Sequence, residues 1–183
     1  MKTNDYQVGG DHYASKAVQP NYRDILDYCP ETGVFRWLVT RTSKAPAGSV
    51  AGWADKDGYR CITIYGRKIK CHRLAWEWMT GKTIPDGMFV DHINRICDDN
   101  RFVNLRLASP VDSAANRSAS RASSHGCKGI TFTRGKWKAS LYRNRSKIFE
   151  KYFSTQDEAI AAYEEVARNV NGEFYYGGSC ESR

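Results

Sequence analysis

An adjacent acid and imidazole, Asp91 and His92, stand at the end of a short apolar run and could together hydrolyse a phosphodiester bond. That reaction needs a base to activate water and a divalent cation to offset charge in the transition state. His92 could supply the base and Asp91 a cation ligand. Because successive strand residues point to opposite faces, we expect the strand to end or twist at this pair.

A polar loop, INRICDDN, follows the pair and leads to the segment NLRLAS at 104–109. We expect Asn104 to hold the loop through hydrogen bonds from its side chain to the backbone. NLRLAS is predicted to be a strand, and Pro110 can open a short helix because proline suits the first helical turn. The polar side chains that this helix start would turn toward the pair are Asp112, Ser113 and Asn116.

Short elements before the pair must position it. In chain order, the sequence predicts a short helix at 22–29, a strand at 34–39, a loop at 44–58, a hairpin through Gly66 at 59–70, and a helix that ends at Gly81. The last helix would place Leu74, Ala75 and Trp78 on one apolar face.

Four stretches, DYCPETGVFRW, AGWADKDGYRCITI, HRLAWEWMTGK and DHIN…DNRFVNLRLAS, together resemble the phage and intron-encoded HNH homing endonucleases over about residues 21–116. The resemblance implies a ββα-metal nuclease domain of the His-Me finger type. It implies that His92 is the general base, that Asp91 binds a catalytic Mg²⁺ or Mn²⁺, and that Asn104 holds the loop in shape. His72 matches a framework histidine, for which packing between strand and helix is a sufficient role.

One position departs from that family's pattern. In the branch where Asn replaces the last His of the motif, the second metal ligand sits nine residues beyond the Asn that matches Asn104, and here that residue is Ser113. A hydroxyl is a weaker ligand than an amide carbonyl, although Mg²⁺ keeps several waters. Asp112 or Asn116 could reach the ion instead, a water could bridge from Ser113, or the domain has lost cleavage and kept DNA binding. The segment is also compatible with an ordinary capped helix start.

The charge distribution favours a polyanionic partner. The net charge is +8 and the isoelectric point is near 9.2. Between Arg117 and Lys151 there are ten Lys or Arg against one acid, Glu150. Cationic side chains that neutralise phosphates release condensed counterions, so double-stranded DNA is the leading candidate. A merely solvated basic face is the simpler alternative, and RNA is a weaker one because no aromatic base-stacking signature is present.

Residues 125–183 are predicted to be a second unit, separated from the nuclease by a basic linker at 117–124, while residues 1–20 are predicted to be a tail. Three strand-like pieces, KGITFT, KWKASLYR and KIFEKYF, precede a helix that Ser154 or Thr155 can cap. Most of Trp137, Phe149, Tyr152 and Phe153 should form its small core.

This second unit resembles the APETALA-two or ethylene-response-factor domain over about residues 124–174, which implies a DNA-binding sheet. Ser140, Tyr142 and Phe149 replace the Glu, Arg and Trp of plant members, so the target sequence does not carry over. The residues predicted to contact DNA, in the linker and this unit, are Arg117, Arg121, Lys128, Arg134, Lys136, Lys138, Tyr142, Arg143, Arg145 and Lys147.

The sequence thus predicts an α+β protein, a ββα-metal domain followed by a three-stranded antiparallel sheet with one helix, acting as a DNA endonuclease or nickase. A non-cleaving DNA-binding protein or regulator is the rival. No apolar stretch is long enough to span a membrane and no signal core opens the chain, which favours the cytoplasm. Six scattered cysteines without a CxxC pair favour reduced thiols rather than a zinc ribbon.

Overall fold

The computed structural model describes residues 21–118 and 126–177, which form a mixed α+β structure with two separate hydrophobic cores. The predicted tail at 1–20 lies outside the described residues, as does most of the predicted linker, including Arg121. The larger core is formed by elements between Tyr22 and Leu107, and the smaller by elements between Cys127 and Tyr175.

The first hairpin pairs strand β1 (Leu26–Cys29) with β2 (Val34–Trp37) in antiparallel register. The prediction of a helix at 22–29 is wrong here, because only Tyr22–Asp24 form a 3₁₀ turn before the chain extends. Leu26 and Tyr28 are buried while Asp27 between them is exposed. This alternation of two is a strand pattern, and burial of both apolar side chains outweighs local helix propensity.

The next sheet contains β3 (Trp53–Ala54), β4 (Arg60–Ile64) and β5 (Arg67–Lys70), in that spatial order, and leads into helix α1 (Cys71–Thr80). The predicted hairpin through Gly66 and the helix end at Gly81 are both confirmed. Gly81 has φ +66°, the left-handed geometry that glycine supplies at helix ends. The helix buries Leu74 and Ala75 as expected.

A second hairpin and a short helix form a ββα unit. Strand β6 (Phe89–His92) pairs antiparallel with β7 (Leu105–Ala108), and helix α2 (Pro110–Ala115) follows directly. Ser109 caps α2 by accepting a hydrogen bond from the Asp112 amide, with proline in the first turn as predicted. Strand β6 ends at His92, so the Asp–His pair stands where regular structure gives way to loop.

The C-terminal unit is a three-stranded antiparallel sheet packed on one helix, as predicted. Strands β8 (Ile130–Thr133), β9 (Lys136–Arg143) and β10 (Ser146–Phe153) lie in the spatial order β10-β9-β8, and α3 (Gln156–Asn171) covers one face. Thr155 is the cap, in a reciprocal capping box with Glu158. Trp137, Phe149 and Phe153 pack into the core, whereas Tyr152 is exposed on the other face.

The described cysteines differ from the expectation at one position. Cys29, Cys61, Cys71 and Cys97 are free thiols. Cys127 is disulfide-bonded, so the prediction that every cysteine is reduced is wrong for this residue.

Candidate functional site

Asp91 and His92 both lie where β6 meets the short helix α2, but they turn toward different neighbours. His92 is 5% exposed and faces the loop that follows it, whereas Asp91 faces β7 and α2. The amide nitrogen of Asn116 joins the two, donating to Asp91 Oδ2 and to the backbone oxygen of His92, both at 2.9 Å. One corner of the ββα unit therefore holds the carboxylate and the imidazole together.

The His92 ring is held by a polar contact on one side and by rings on the other. Its Nε2 lies 3.3 Å from Oδ1 of Asn100, a residue with no exposed surface. The ring centroids of His72 and Tyr59 lie 4.9 Å and 5.9 Å away. Burial lowers the pKa of His92, against the opposing effects of the Asn100 hydrogen bond and the nearby Asp91. The imidazole is therefore neutral at neutral pH, as a proton acceptor must be.

His72, at the start of α1, packs between the sheet and His92. Burial, helped by the neighbouring positive groups and His92, lowers its pKa to about 3. Its Nδ1 is buried without a hydrogen-bond partner. This side chain stays neutral and serves as a ring to pack against, in keeping with a framework role.

The two oxygens of Asp91 have unequal surroundings. Oδ2 accepts hydrogen bonds from Nε and Nη2 of Arg106, at 3.3 and 3.2 Å, as well as from Asn116. Oδ1 is contacted by the hydroxyl of Ser113 at 3.4 Å. Arg106 stands directly opposite Asp91 in the β6–β7 register, and both side chains are nearly buried. Among the described residues, Oδ1 thus has fewer hydrogen-bond partners than Oδ2.

The three polar residues of the α2 segment have distinct positions. Ser113 faces Asp91 Oδ1, and Asn116 presents its amide N–H, not its carbonyl, to Oδ2. Asp112 turns away, accepting from the Ser109 hydroxyl at 2.6 Å and from Arg143 at 2.7 Å. Of the alternatives for a second ligand, Ser113 is the side chain that contacts Oδ1, the oxygen that neither Arg106 nor Asn116 binds.

Asn104 is buried at the base of the loop and makes three hydrogen bonds to it. Its Oδ1 accepts from the Asn94 amide at 3.0 Å, while its Nδ2 donates to Asn94 Oδ1 at 2.9 Å and to the Asp99 backbone oxygen at 2.8 Å. Asp99 in turn binds Arg101 and Asn94. The loop that carries Asn100 past the His92 ring is pinned by this network.

The first hairpin anchors the same loop from the other side. The Tyr28 hydroxyl donates to the Asn100 backbone oxygen at 2.7 Å, and the Phe102 amide donates to Pro30. Gly33, at φ +72°, lies so close that an added Cβ would meet the Asn100–Arg101 peptide at 2.4 Å. The backbone of the first hairpin therefore packs against the backbone of Asn100, the residue whose side chain contacts the His92 ring.

One oxygen donor suited to a hard divalent ion, the Ser113 hydroxyl, lies beside Asp91 Oδ1. Within residues 21–118 and 126–177 there is no cluster of three or more His, Cys, Asp or Glu that could hold a metal. The available set is instead one carboxylate oxygen with the Ser113 hydroxyl beside it. Because Mg²⁺ is commonly bound through one or two carboxylates and several waters, these residues fit such an ion.

Comparison with known proteins places this site in a family. The family model described as HNH endonuclease matches residues 70–114, from the end of β5 to α2. An uncharacterised HNH endonuclease, L560 of Acanthamoeba polyphaga mimivirus, is 31% identical over 149 residues, which cover 81% of this chain and 70% of that relative. The chain belongs to the HNH endonuclease family. Membership indicates a nuclease that hydrolyses phosphodiester bonds in DNA with the help of a divalent metal.

A second relative of this HNH protein is Protein 3.8 of Escherichia phage T7, 26% identical over 107 residues, which cover 56% of this chain and 85% of the phage protein. No solved structure matches. In the part of the HNH chain that the structure describes, no helix has the length and apolarity needed to cross a membrane.

The outer face of the C-terminal sheet of this HNH protein, opposite α3, carries four of the residues predicted to bind DNA. Strand alternation and register place Lys136, Lys138, Tyr142 and Lys147 on this outer face. Tyr152 is 50% exposed beside Lys138. The one acid among them, Glu150, contacts Lys147 at 3.0 Å and Lys138 at 4.0 Å. This face is basic, aromatic and accessible.

The other predicted contacts divide into two groups. Arg117, Arg134 and Arg145 are exposed. Lys128 and Arg143 instead join the two units of the HNH protein: Lys128 Nζ donates to the backbone oxygen of Ala115 at 2.8 Å, and Arg143 pairs with Asp112. Burial lowers the pKa of Lys128 to about 8. These two cations already have partners on α2.

Sequence reasoning missed a second junction, between the segment after α3 and the corner that holds Asp91. Arg106, besides holding Asp91, donates to the Glu173 backbone oxygen at 2.8 Å and lies 4.0 Å from the Phe174 ring centroid. Arg95 stacks on Tyr176 at 3.1 Å. Arg106 comes to lie opposite Asp91 through the pairing of β6 with β7, and nothing in the sequence indicated its C-terminal partners.

Proposed function

We propose that this HNH protein is a metal-dependent endonuclease or nickase for double-stranded DNA, of the homing type. His92 is the general base, Asp91 a ligand of Mg²⁺ or Mn²⁺, and Asn104 the residue that holds the catalytic loop. The observation that carries the proposal is the corner itself, where the buried imidazole of His92 lies beside the Asp91 carboxylate. Arg106 and Asn116 bind Oδ2 of that carboxylate, and the Ser113 hydroxyl contacts Oδ1.

The chemistry follows from the positions of these side chains. His92 takes a proton from a water molecule, whose oxygen attacks phosphorus in line with the departing 3′ oxygen. The new P–O bond leaves a 5′-phosphate, and the 3′ oxygen leaves as a hydroxyl after taking a proton from solvent. A divalent ion, when bound, would stabilise negative charge on the phosphate and on the leaving oxygen. Asp91 and Ser113 are the residues that would hold it.

We assign the units as the sequence suggested: a tail at 1–20, the nuclease domain at 21–116, a basic linker at 117–124 and an APETALA-two-like DNA-binding domain at 125–183. The support is the basic outer face of a three-stranded sheet backed by one helix. A sheet can lie in the major groove, where Lys136, Lys138 and Lys147 would reach phosphates and Tyr142 the base edges.

A plasmid-nicking assay tests the proposal. Supercoiled plasmid should be cut with Mg²⁺ or Mn²⁺ and left whole with EDTA. His92→Ala should lower the rate by about 100-fold or more, the usual contribution of a general base, without weakening DNA binding. Thermal unfolding of the variant serves as the control for folding. If His92→Ala cuts as fast as the parent, the assignment of the base is wrong.

A second candidate function is a DNA-binding protein or regulator that no longer cleaves. Two observations favour it: a hydroxyl stands where an amide ligand is expected, and the Arg106 guanidinium already neutralises Asp91 at 3.2 Å. Binding of duplex DNA without any metal-dependent cleavage, at all Mg²⁺ and Mn²⁺ concentrations tested, would establish this function in place of the first.

A further inference from the structure

We propose that Asn100 is a positioning residue that fixes the tautomer of His92, so that the proton stays on Nε2 and the solvent-facing Nδ1 is the atom that accepts a proton from water. The inference rests on the proposed role of His92 as base, and it names the nitrogen that acts and the side chain that selects it.

The orientation of the Asn100 amide is fixed by its second contact. Its Nδ2 donates to the backbone oxygen of Asp98 at 3.1 Å. The amide oxygen, Oδ1, must then be the atom that faces His92 Nε2 at 3.3 Å. An amide oxygen can only accept a hydrogen bond, so the imidazole nitrogen opposite it must be the donor. In the neutral ring a protonated Nε2 leaves the lone pair on Nδ1.

The other ring nitrogen is open to solvent. Across residues 21–118 and 126–177, one buried side-chain nitrogen or oxygen lacks a hydrogen-bond partner. That atom is Nδ1 of His72. Nδ1 of His92 makes no hydrogen bond among these residues and is not such a buried atom, so water reaches it. Nδ1, the nitrogen on which Asn100 leaves the lone pair, is therefore in contact with solvent.

Asn100 is held more firmly than a surface loop residue would be. It has no exposed surface, and its backbone oxygen accepts the Tyr28 hydroxyl at 2.7 Å. The Gly33 backbone presses on the Asn100–Arg101 peptide, leaving no room for even a methyl group. Contacts from a different hairpin thus fix the amide in place before any substrate arrives, which is what preorganisation of a base requires.

Tautomer choice matters because a neutral imidazole populates two forms. With the proton on Nδ1, the solvent-facing nitrogen is a donor and cannot activate water. The Asn100 oxygen can only accept a hydrogen bond, so it disfavours the tautomer with the proton on Nδ1. In that tautomer the lone pair of Nε2 would face a lone pair of the Asn100 oxygen inside the protein. The same kind of partner fixes tautomers of metal-bound histidines, where its loss lowers activity by about 10- to 100-fold.

The test is a long-range ¹H–¹⁵N spectrum of the histidine rings at alkaline pH, where both buried rings are neutral. The chain has four histidines, and the His92 signals are those lost in His92→Ala. The unsubstituted protein should show one His92 tautomer, with Nε2 protonated. Asn100→Leu, close to Asn in shape but without an acceptor, should give the averaged signals of a tautomer mixture, whereas Asn100→Asp, which keeps an acceptor, should retain the single form.

Asn94→Ala is the matched control, because Asn94 belongs to the same loop network but does not touch His92. It should lower stability while leaving the single tautomer intact. In nicking assays Asn100→Leu should lower kcat by about 10- to 100-fold with little change in KM. A protonated Nδ1 in the unsubstituted protein, or an unchanged single form in Asn100→Leu, would overturn the inference. Because the spectrum needs neither DNA nor metal, a protein that never cleaves would refute the proposed function and still decide the tautomer.

Discussion

At the scale of single residues, the asymmetry of Asp91 decides how the carboxylate can be used. Arg106 and Asn116 both donate to Oδ2, while among residues 21–118 and 126–177 Oδ1 meets only the Ser113 hydroxyl within hydrogen-bond reach. An ion pair between nearly buried side chains is costly to break by removing one partner. Arg106 therefore orients the carboxylate and at the same time lowers the net negative charge that a cation would meet.

Ser113 is the position at which ligand strength can be changed. Ser113→Asn places an amide carbonyl beside Oδ1, so we expect tighter Mn²⁺ binding and cleavage at least as fast as in the parent. Ser113→Ala removes the oxygen and should raise the Mn²⁺ concentration needed for half-maximal cleavage by about 10-fold. Titration of Mn²⁺ by electron paramagnetic resonance measures binding without activity. A clear loss of affinity in Ser113→Asn would show that Ser113 does not stand in for the ligand.

His72 should make stability depend on pH. Its pKa is about 3 in the folded protein and 6.5 in the unfolded reference, so below pH 6.5 the unfolded chain takes up a proton that the folded one refuses. The stabilising effect is complete above pH 6.5 and is lost progressively as the pH falls toward 3. At about pH 5 the loss from this residue is about 2 kcal/mol at most.

Urea unfolding of the parent and of His72→Gln, across this pH range, isolates the contribution of His72 from that of other groups. Glutamine does not titrate, so the stability of the variant should fall less between neutral pH and pH 5 than that of the parent. Parallel pH profiles for the two proteins would contradict the burial that lowers the pKa of this ring.

At the scale of elements, the first hairpin supports the loop that carries Asn100 through a backbone contact that only glycine permits. Gly33→Ala would force its Cβ into the Asn100–Arg101 peptide, whereas Gly48→Ala, with φ +81°, meets nothing within 4 Å. Both variants carry the strain of a left-handed residue. Gly33→Ala should therefore cost about 1–3 kcal/mol more than Gly48→Ala in urea unfolding. Equal losses would mean that the hairpin does not press on the loop.

The elements themselves were partly predictable. Local sequence signals predict helices α1 and α3. Gly81 ends α1, and a capping box begins α3. The segment at 22–29 is predicted as a helix from its local sequence, whereas in the structure Leu26–Cys29 form a strand that pairs with β2. Strand formation at Leu26–Cys29 depends on pairing with β2, and the local sequence does not show that pairing.

The positions of the site residues agree with the sequence analysis, and their catalytic roles stay predictions. Asp91, His92 and Asn104 stood out by residue type and spacing. The structure brings Asp91 and His92 to one corner and places Asn104 at the base of the loop. Asn100 and Arg106 act through contacts across the ββα unit, and their roles depend on which atom faces which neighbour. Lys128 and Arg143 were assigned to DNA because their charge is visible in the sequence, whereas their partners on α2 are visible only in three dimensions.

At the scale of the whole molecule, the basic residues of the C-terminal unit fall into two groups. Some face solvent, and others contact α2 in the N-terminal unit. Lys136, Lys138 and Lys147 lie on the outer face of the sheet, and Arg143 is paired with Asp112. Replacing each outer lysine by Ala should weaken DNA binding and reduce the slope of log affinity against log salt by about one unit. Arg143→Ala should leave that slope unchanged. Fluorescence anisotropy with labelled duplex, over a range of salt concentrations, measures both.

The control for this series is Asp112→Asn, which breaks the same ion pair from the other side without removing a cation. It should match Arg143→Ala in its salt slope. If Arg143→Ala instead reduces the slope as much as the lysine variants do, Arg143 leaves Asp112 to bind phosphate, and the pairing seen here is limited to the free protein.

The segment after α3 returns to the nuclease unit, where Glu173 and Phe174 meet Arg106 and Tyr176 covers Arg95. A shortened protein that stops at the predicted linker would consequently lose one wall of the corner that holds Asp91. A fusion of residues 21–116 to a DNA-binding domain from another protein would lose the same contacts, unless it kept the segment after α3. Retargeting is therefore better attempted by changing side chains on the outer sheet than by exchanging the unit.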